Sequence, residues 1–441
     1  MKRLLPLLLC AVLALFCATT AQAAGVSITL TASEYALHYA FDAGAQDPFV
    51  ILEYTTPAEK GWMMLYSEDG HFEGDVSLAY SGAGGKTSVV LTSARTTGSI
   101  GKASTTLPKA ADYQKPTGKS NAKVTDFVLT ETPEGFHYAF NAAGTDYMLL
   151  YWRSKEQTVT QPVYPDENGH YEGDVVSELT FARTQFTVQV KSGSGSMKKE
   201  ATVRKGYQAP EAPQRQEGRL SGVTVCIDAG HQENGRFVNE PIGPGLSGST
   251  SGKGGMAQGT KTNRRESIVC LEIGMLLRDE LLRQGANVIM TREDQMTFHT
   301  NIERCEIAEA GGAQIMLRLH CNNSSNRSKR GIQVYGPLNS DYAKAVADAD
   351  TYRKMGQKLL DAMKTRVGMT LANSTGMVRL NDNYVGNNWA KMMCFLVEMG
   401  YLSNPAEEYL LVTPVYQQWL AEGMADGVYE IAVARGWVQA Q

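Results

Sequence analysis

Four side chains in the C-terminal half have the types that metal-assisted hydrolysis requires: His231, Glu266, His320 and Glu398. Two imidazoles and one carboxylate suit a catalytic zinc with a fourth position left for water. A second carboxylate can then act as base on that water. The intervals from His231 to Glu266 and on to His320 are 35 and 54 residues. No compact metal motif spans such distances, so only a fold that gathers distant chain segments could make one site of them. By the same reasoning His299 and Asp228 are rival ligands.

The elements around these residues can do the gathering. Residues 223–227 are apolar or β-branched throughout and read as a strand buried on both faces. It runs into Asp-Ala-Gly-His, where Gly230 lets the chain turn and His231 leaves the carboxyl end. An apolar run at 315–319 delivers His320 in the same way, and one at 392–397 delivers Glu398. Glu266 opens a helix with apolar residues at Val269, Ile273, Leu276, Leu277 and Leu281, ending at Gly285. Further strands are expected at 288–291 and 331–335 and a helix at 350–366. Thr300 and Glu303 have capping-box spacing for a helix that ends at Gly311, and Thr413-Pro414 starts a last helix through about Ala434. This alternation predicts an α/β domain, a mostly parallel twisted sheet flanked by helices. Ligands of such sheets bind at the carboxyl edge of the strands. The segment 232–265 reads as a loop with eight glycines, and loops of that length are usually functional or mobile.

The N-terminal half is built differently. HYAF at 38–41 recurs at 137–140, and GHFEGDV at 70–76 recurs as GHYEGDV at 169–175, both 99 residues later. One offset shared by two motifs marks a duplication. Short alternating runs broken by Gly-containing turns predict one small β-sandwich per copy, over 24–115 and 120–205. His38 and His137 fall within strands, and His71 and His170 follow a turn glycine. Core or turn packing is the reading their setting favours, against sugar or metal contact. Trp62, Tyr66, Tyr151 and Trp152 are equally suited to a carbohydrate-stacking face and to a sandwich core. Residues 206–219, with Pro210 and Pro213 and little hydrophobic content, read as a linker.

Residues 1–23 read as a signal peptide. Lys2 and Arg3 precede an apolar run over 4–18, and Ala21-Gln22-Ala23 is a small-x-small cleavage site. The run is too short for a comfortable membrane span, and Phe16 before Cys17 is a poor lipoprotein signal, so export without a stable membrane anchor is expected. Removing this segment takes the formal charge from −4 to −6 and leaves Cys226, Cys270, Cys305, Cys321 and Cys394. That odd set has no zinc-knuckle or Cys-x-x-Cys spacing and does not indicate a disulfide framework. No basic run suggests nucleic acid or a membrane surface as a partner. Over 24–205, 21 acidic residues against 16 basic ones argue against charge-driven adhesion to anionic polymers.

In order along the chain, IDAGH (227–231), RRESIVCLEIG (264–274), VIMTRED (288–294), NIERCEIAEAGGA (301–313), LRLHCN (317–322) and FLVEMGYLSN (395–404) resemble the motifs of zinc-dependent N-acetylmuramoyl-L-alanine amidases, bacterial cell-wall hydrolases. The resemblance covers about 220–437 and leaves out the repeats. It implies that His231, Glu266 and His320 bind zinc and that Glu398 is the catalytic carboxylate. The reaction implied is hydrolysis of the amide between N-acetylmuramic acid and the L-alanine of the peptidoglycan stem peptide. Ala229 stands where the family commonly has Pro and Gln232 where it has Gly, while Arg318 and Cys321 replace smaller residues beside the second histidine. None of these departures removes a proposed catalytic group. Two other functions fit the same residues: another exported zinc peptidase or deacetylase, and a non-catalytic wall-binding or adhesion protein. The repeats would then supply binding to cell-wall glycan.

Overall fold

The structure is a computed structural model that describes residues 19–21, 25–57, 60–78, 81–111, 122–132, 135–145, 147–153, 158–176, 184–192, 196–205, 210–232, 238–250, 255–262, 264–367 and 377–440. Of the stretch read as a signal peptide only 19–21 is described, as a short strand paired with Ile28–Ser33. The cleavage site at 21–23 therefore lies largely outside the described residues. The chain divides into two compact units, Met1–Lys115 and Pro116–Gln441.

In the first unit, Ile28–Ser33, Ala36–Asp42 and His71–Ser77 form one antiparallel sheet with the Thr19–Ala21 strand. Lys60–Tyr66, Phe49–Thr55, Gly85–Ser93 and Ser99–Leu107 form a second. Alternation places Leu37, Tyr39 and Phe41 inward, where they share a core with Leu52, Val89 and Leu91 of the other sheet. The second copy, in the other unit, repeats this plan with a three-stranded sheet (Lys123–Thr132, Gly135–Ala143, His170–Val176) and a four-stranded one. Phe136, Phe140, Tyr171, Trp152 and Phe186 fill its core. The four aromatics singled out in the sequence therefore divide. Trp152 is buried, whereas Trp62 and Tyr66 are each 38% exposed.

The rest of the second unit is an α/β domain with a six-stranded sheet. Its order is Asn287–Met290, Thr224–Ala229, Ile315–Asn322, Met393–Tyr401, Gln333–Gly336, Met377–Leu380. The first four strands run parallel, as do the last two. The two groups meet antiparallel between Gln333–Gly336 and Met393–Tyr401, so the sheet is mostly parallel, as expected, with one antiparallel pair that makes it mixed. The connection 323–332 contains no helix to return the chain to the amino edge, so the next strand enters from the carboxyl edge. The strand Met377–Leu380 and the short helices Asp341–Val346, Val385–Trp389 and Glu407–Leu411 lie where the sequence pattern gave no element.

Helices cover both faces. Cys226, Met316 and Cys394 pack with Cys305 and Ala308 of the Asn301–Ala310 helix on one face. On the other, Gly274 of the Glu266–Arg283 helix lies over Ile227, Ala229 and Leu319, and Gly356 of the Ala349–Val367 helix over Phe395. Gly423 and Gly427 of the Pro414–Ala434 helix let it pack against the backbone at Met363 and Leu359. Thr300 and Glu303 make the expected capping box. Thr413 caps nothing with its side chain and donates instead to the Tyr409 carbonyl. All five described cysteines are buried free thiols, and burial raises each thiol's pKa. No helix of the described residues is long and apolar enough to cross a membrane.

Candidate metal centre

Three neighbouring parallel strands end together, and their register sets the site. His320 and Glu398 are direct partners in the ladder between Ile315–Asn322 and Met393–Tyr401. Next to them the Thr224–Ala229 strand continues one step further, with Gly230 N donating to the Leu319 carbonyl at 2.9 Å. A Cβ at Gly230 would lie 2.4 Å from the Leu319 oxygen and 2.6 Å from the His320 ring, so only glycine fits. The chain then turns at His231, whose φ is +58°, a left-handed conformation costly for a residue with a side chain. Glu266 is the first residue of the helix that starts above this edge.

Glu266 Oε1 lies 3.1 Å from His231 Nε2 and 3.0 Å from His320 Nδ1, and ligand atoms of all three residues fall within 4.8 Å of one another. The carboxylate is held from outside by backbone N–H groups, Cys321 donating to Oε1 at 3.0 Å and Ala257, from the glycine-rich segment, to Oε2 at 2.7 Å. Burial pushes the Glu266 pKa up, but the two imidazoles outweigh it and hold the group well below the usual carboxylate range. Burial also lowers the His320 pKa, which keeps the imidazole neutral and its lone pair available. Ligands about 2.0–2.1 Å from a tetrahedral zinc lie about 3.3 Å apart, close to the separations found here. His320 Nε2, the other ring nitrogen, is buried and without a hydrogen-bond partner among the described residues. The donor set therefore fits zinc.

Glu398 stands across the strand pair from His320, with Oε2 buried and without a hydrogen-bond partner among the described residues. Burial, with the negative charge of Glu266 behind it, pushes its pKa up to about 8. Neither arginine that could have neutralised it does so: Arg318 Nε bonds Asp228 at 2.9 Å, and Arg379 donates to the Met377 sulfur. Glu398 and the three-residue cluster line one cleft of about 580 Å³, together with Phe298, Asn322 and Tyr384.

The rival ligands are placed otherwise. His299 lines the same cleft outside the three-residue group, and its carbonyl accepts from Arg304 Nε at 3.2 Å. Asp228 is fully buried. Its carboxylate accepts from Thr291 Oγ1 at 2.8 Å, from Arg304 Nη1 and from Arg318 Nε. Burial raises its pKa, but the two guanidinium groups more than reverse this and hold it far below the ordinary aspartate range. The sequence reading missed this arginine set. Arg292 donates to the carbonyls of Ala229 and Gly230 at 2.7 and 2.9 Å, and Arg304 to those of Ala229 and His231 at 3.0 and 3.3 Å. Three successive carbonyls of the strained turn are thus tied to guanidinium groups. The available signal was Arg318 itself, a lone charge inside an apolar strand, which demands a buried counter-ion nearby.

The sequence profile of the N-acetylmuramoyl-L-alanine amidase family matches residues 225–430. Those residues belong to that family. The amidase domain is 25% identical over 231 residues to the germination-specific N-acetylmuramoyl-L-alanine amidase of Bacillus subtilis (strain 168), a match covering 49% of this chain and 83% of that protein. It is 26% identical over 218 residues to a probable cell wall amidase, LytH, of Staphylococcus aureus, covering 48% of this chain and 60% of that protein. Among solved structures, the N-acetylmuramyl-L-alanine amidase Ami1 of Mycobacterium smegmatis aligns with 18% identity and a TM-score of 0.43, over 49% of this chain and 99% of that one. The N-terminal repeats lie outside the profile match.

Proposed function

We propose that this protein hydrolyses the amide between the lactyl group of N-acetylmuramic acid and L-alanine of the peptidoglycan stem peptide, with zinc held by His231, Glu266 and His320. When bound there, zinc supplies Lewis acidity, lowering the pKa of water and polarising a carbonyl. The observation that carries the reading is Glu398, a buried carboxylate with an unpartnered oxygen in the same cleft as a three-ligand cluster. Glu398 takes a proton from the attacking water and returns it to the alanine nitrogen as the C–N bond breaks. Without that proton an amine is a poor leaving group. A carboxylate held in the cleft beside the three ligands is placed for both transfers. Arg292 and Arg304, by tying down the turn, orient His231.

Residues 1–23 support export, and relatives include a protein named as a cell wall amidase. The two β modules are proposed to hold the enzyme on wall glycan, a role that the partly exposed Trp62 and Tyr66 of the first module suit.

Glu398→Gln tests the mechanism. The variant keeps shape and cannot accept the proton, so zinc content and melting temperature should match the wild type. Release of stem peptides with L-alanine amino termini should fall about 10²–10⁴-fold. Full zinc with near-normal release would refute the proton role. Products other than free L-alanine termini, read by mass spectrometry, would point to a peptidase or deacetylase instead.

A further inference from the structure

The outward face of each N-terminal module carries the same polar figure. In the first, His38, Ala40 and Asp42 pair across the ladder with Asp75, Glu73 and His71. In the second, His137, Ala139 and Asn141 pair with Asp174, Glu172 and His170. These histidines are not core packing, because their side chains are 30–50% exposed, although His71 and His170 do sit at the turns expected of them.

Exposed positions of a duplicated module are free to diverge, and their neighbours have. The exposed Thr29, for one, corresponds to an exposed Val128. Within the figure five of six positions are identical, and the sixth, Asp42 against Asn141, keeps an acceptor oxygen. The geometry repeats as well. His38 Nδ1 lies 3.0 Å from Asp75 and His137 Nδ1 2.9 Å from Asp174. His71 Nδ1 lies 2.7 Å from Asp42 and His170 Nδ1 2.8 Å from Asn141 Oδ1. Asn141 Nδ2 donates to Asp126 at 2.9 Å, which orients its oxygen toward the histidine.

Every partner of Nδ1 is therefore an acceptor, so Nδ1 carries the hydrogen, and in the neutral ring Nε2 carries the lone pair. Those lone pairs face carboxylate oxygens. Glu73 lies 3.4 Å from His38 Nε2 and 3.6 Å from His71 Nε2, and Glu172 lies 3.2 and 3.8 Å from the corresponding nitrogens. Two electron-rich groups are stable in that opposition only with a proton or a metal ion between them. Imidazoles backed at Nδ1 by an oxygen acceptor and facing a ligand carboxylate are the usual surroundings of a histidine-bound metal. Alanine opposite each glutamate leaves the space above the sheet open.

We propose that each module binds one divalent ion of the zinc class through both imidazole Nε2 atoms and the intervening glutamate: His38, His71 and Glu73 in the first, His137, His170 and Glu172 in the second. Two imidazoles and a carboxylate suit zinc, copper and nickel. Unlike the groups of the catalytic centre, these ligand atoms do not all converge within 4.8 Å, so the half-exposed imidazoles must swing inward on binding. The module sites are accordingly weaker than the catalytic one.

Equilibrium dialysis of the full-length protein against zinc, with metal analysis, tests this. Three ions should bind, one tightly and two more weakly. His71→Ala should leave two, and His71→Ala with His170→Ala should leave one, with stem-peptide release from soluble substrate unchanged. Asp75→Ala should weaken the first module's site about 10–100-fold, as loss of an outer-shell partner does, without abolishing it. Thermal melts check that each variant is folded. A wild-type stoichiometry of one would overturn the proposal and leave the imidazoles as protonated ion-pair partners of the carboxylates. Three ions retained in the double variant would overturn it equally.

Discussion

Replacing Asp228 by Asn should damage both stability and the metal centre, although Asp228 touches no proposed ligand side chain. The carboxylate is the buried counter-charge for Arg304 and Arg318, each about 4% exposed. Asn keeps the volume but removes the charge, and its amide N–H₂ would face a guanidinium donor. Breaking a buried pair by removing one partner costs about 3–5 kcal/mol, a large part of the roughly 5–15 kcal/mol that holds a domain together. Arg304 would then be free to reorganise, loosening the carbonyls of Ala229 and His231 and with them the left-handed turn at His231. Chemical denaturation at neutral pH should show the loss, and competition with a chromophoric chelator should show faster zinc release. Arg318→Met should cost less, because Asp228 keeps Arg304, and the double variant should be less than additive. The pH dependence has a definite sign. The folded-state pKa of Asp228 is depressed, so its stabilisation is complete above the ordinary value of 3.8 and is lost only as pH falls toward the much lower folded value. Asp228→Asn within 1 kcal/mol of wild type, with zinc retention unchanged, would refute the reasoning.

Gly230→Ala should displace the His320 ring and the Leu319 carbonyl, at about 1–3 kcal/mol of overpacking, and lower zinc content; a wild-type melt with full zinc would contradict the close approach. Thr300→Ala removes one half of the capping box and should cost about 1 kcal/mol, read as a lower melting temperature with zinc content intact. In chelator-treated protein Glu398 holds its proton to about pH 8, against an ordinary glutamate value of 4.5, so its burial destabilises the fold increasingly as pH rises through that window. Glu398→Gln should therefore gain stability over wild type at pH 9 and not at pH 5. A difference that is flat with pH would remove the cause assigned to the shift.

Local pattern alone determined a good deal of this protein. The 99-residue duplication, the alternating strands of the modules, the capping box at Thr300 and the apolar strands leading to His231, His320 and Glu398 all follow from short-range periodicity and cap chemistry, which neighbouring residues set. Ordered motifs were enough to nominate the four site residues. What pattern could not supply was anything that depends on which segments lie side by side. The antiparallel entry of Gln333–Gly336 followed from a connection too short to cross the sheet, and the pairing of His320 with Glu398 from strand register. Asp228 reads in sequence as a ligand candidate, because a carboxylate at a strand end serves equally as ligand or as counter-ion. Only the arrival of Arg304 from a helix 76 residues away and of Arg318 from the next strand decides between them. The outward His38 and His137 of the modules were misjudged for the same reason. Which face of a strand is buried is settled by the sheet packed against it, and that contact is made by residues far away in the chain.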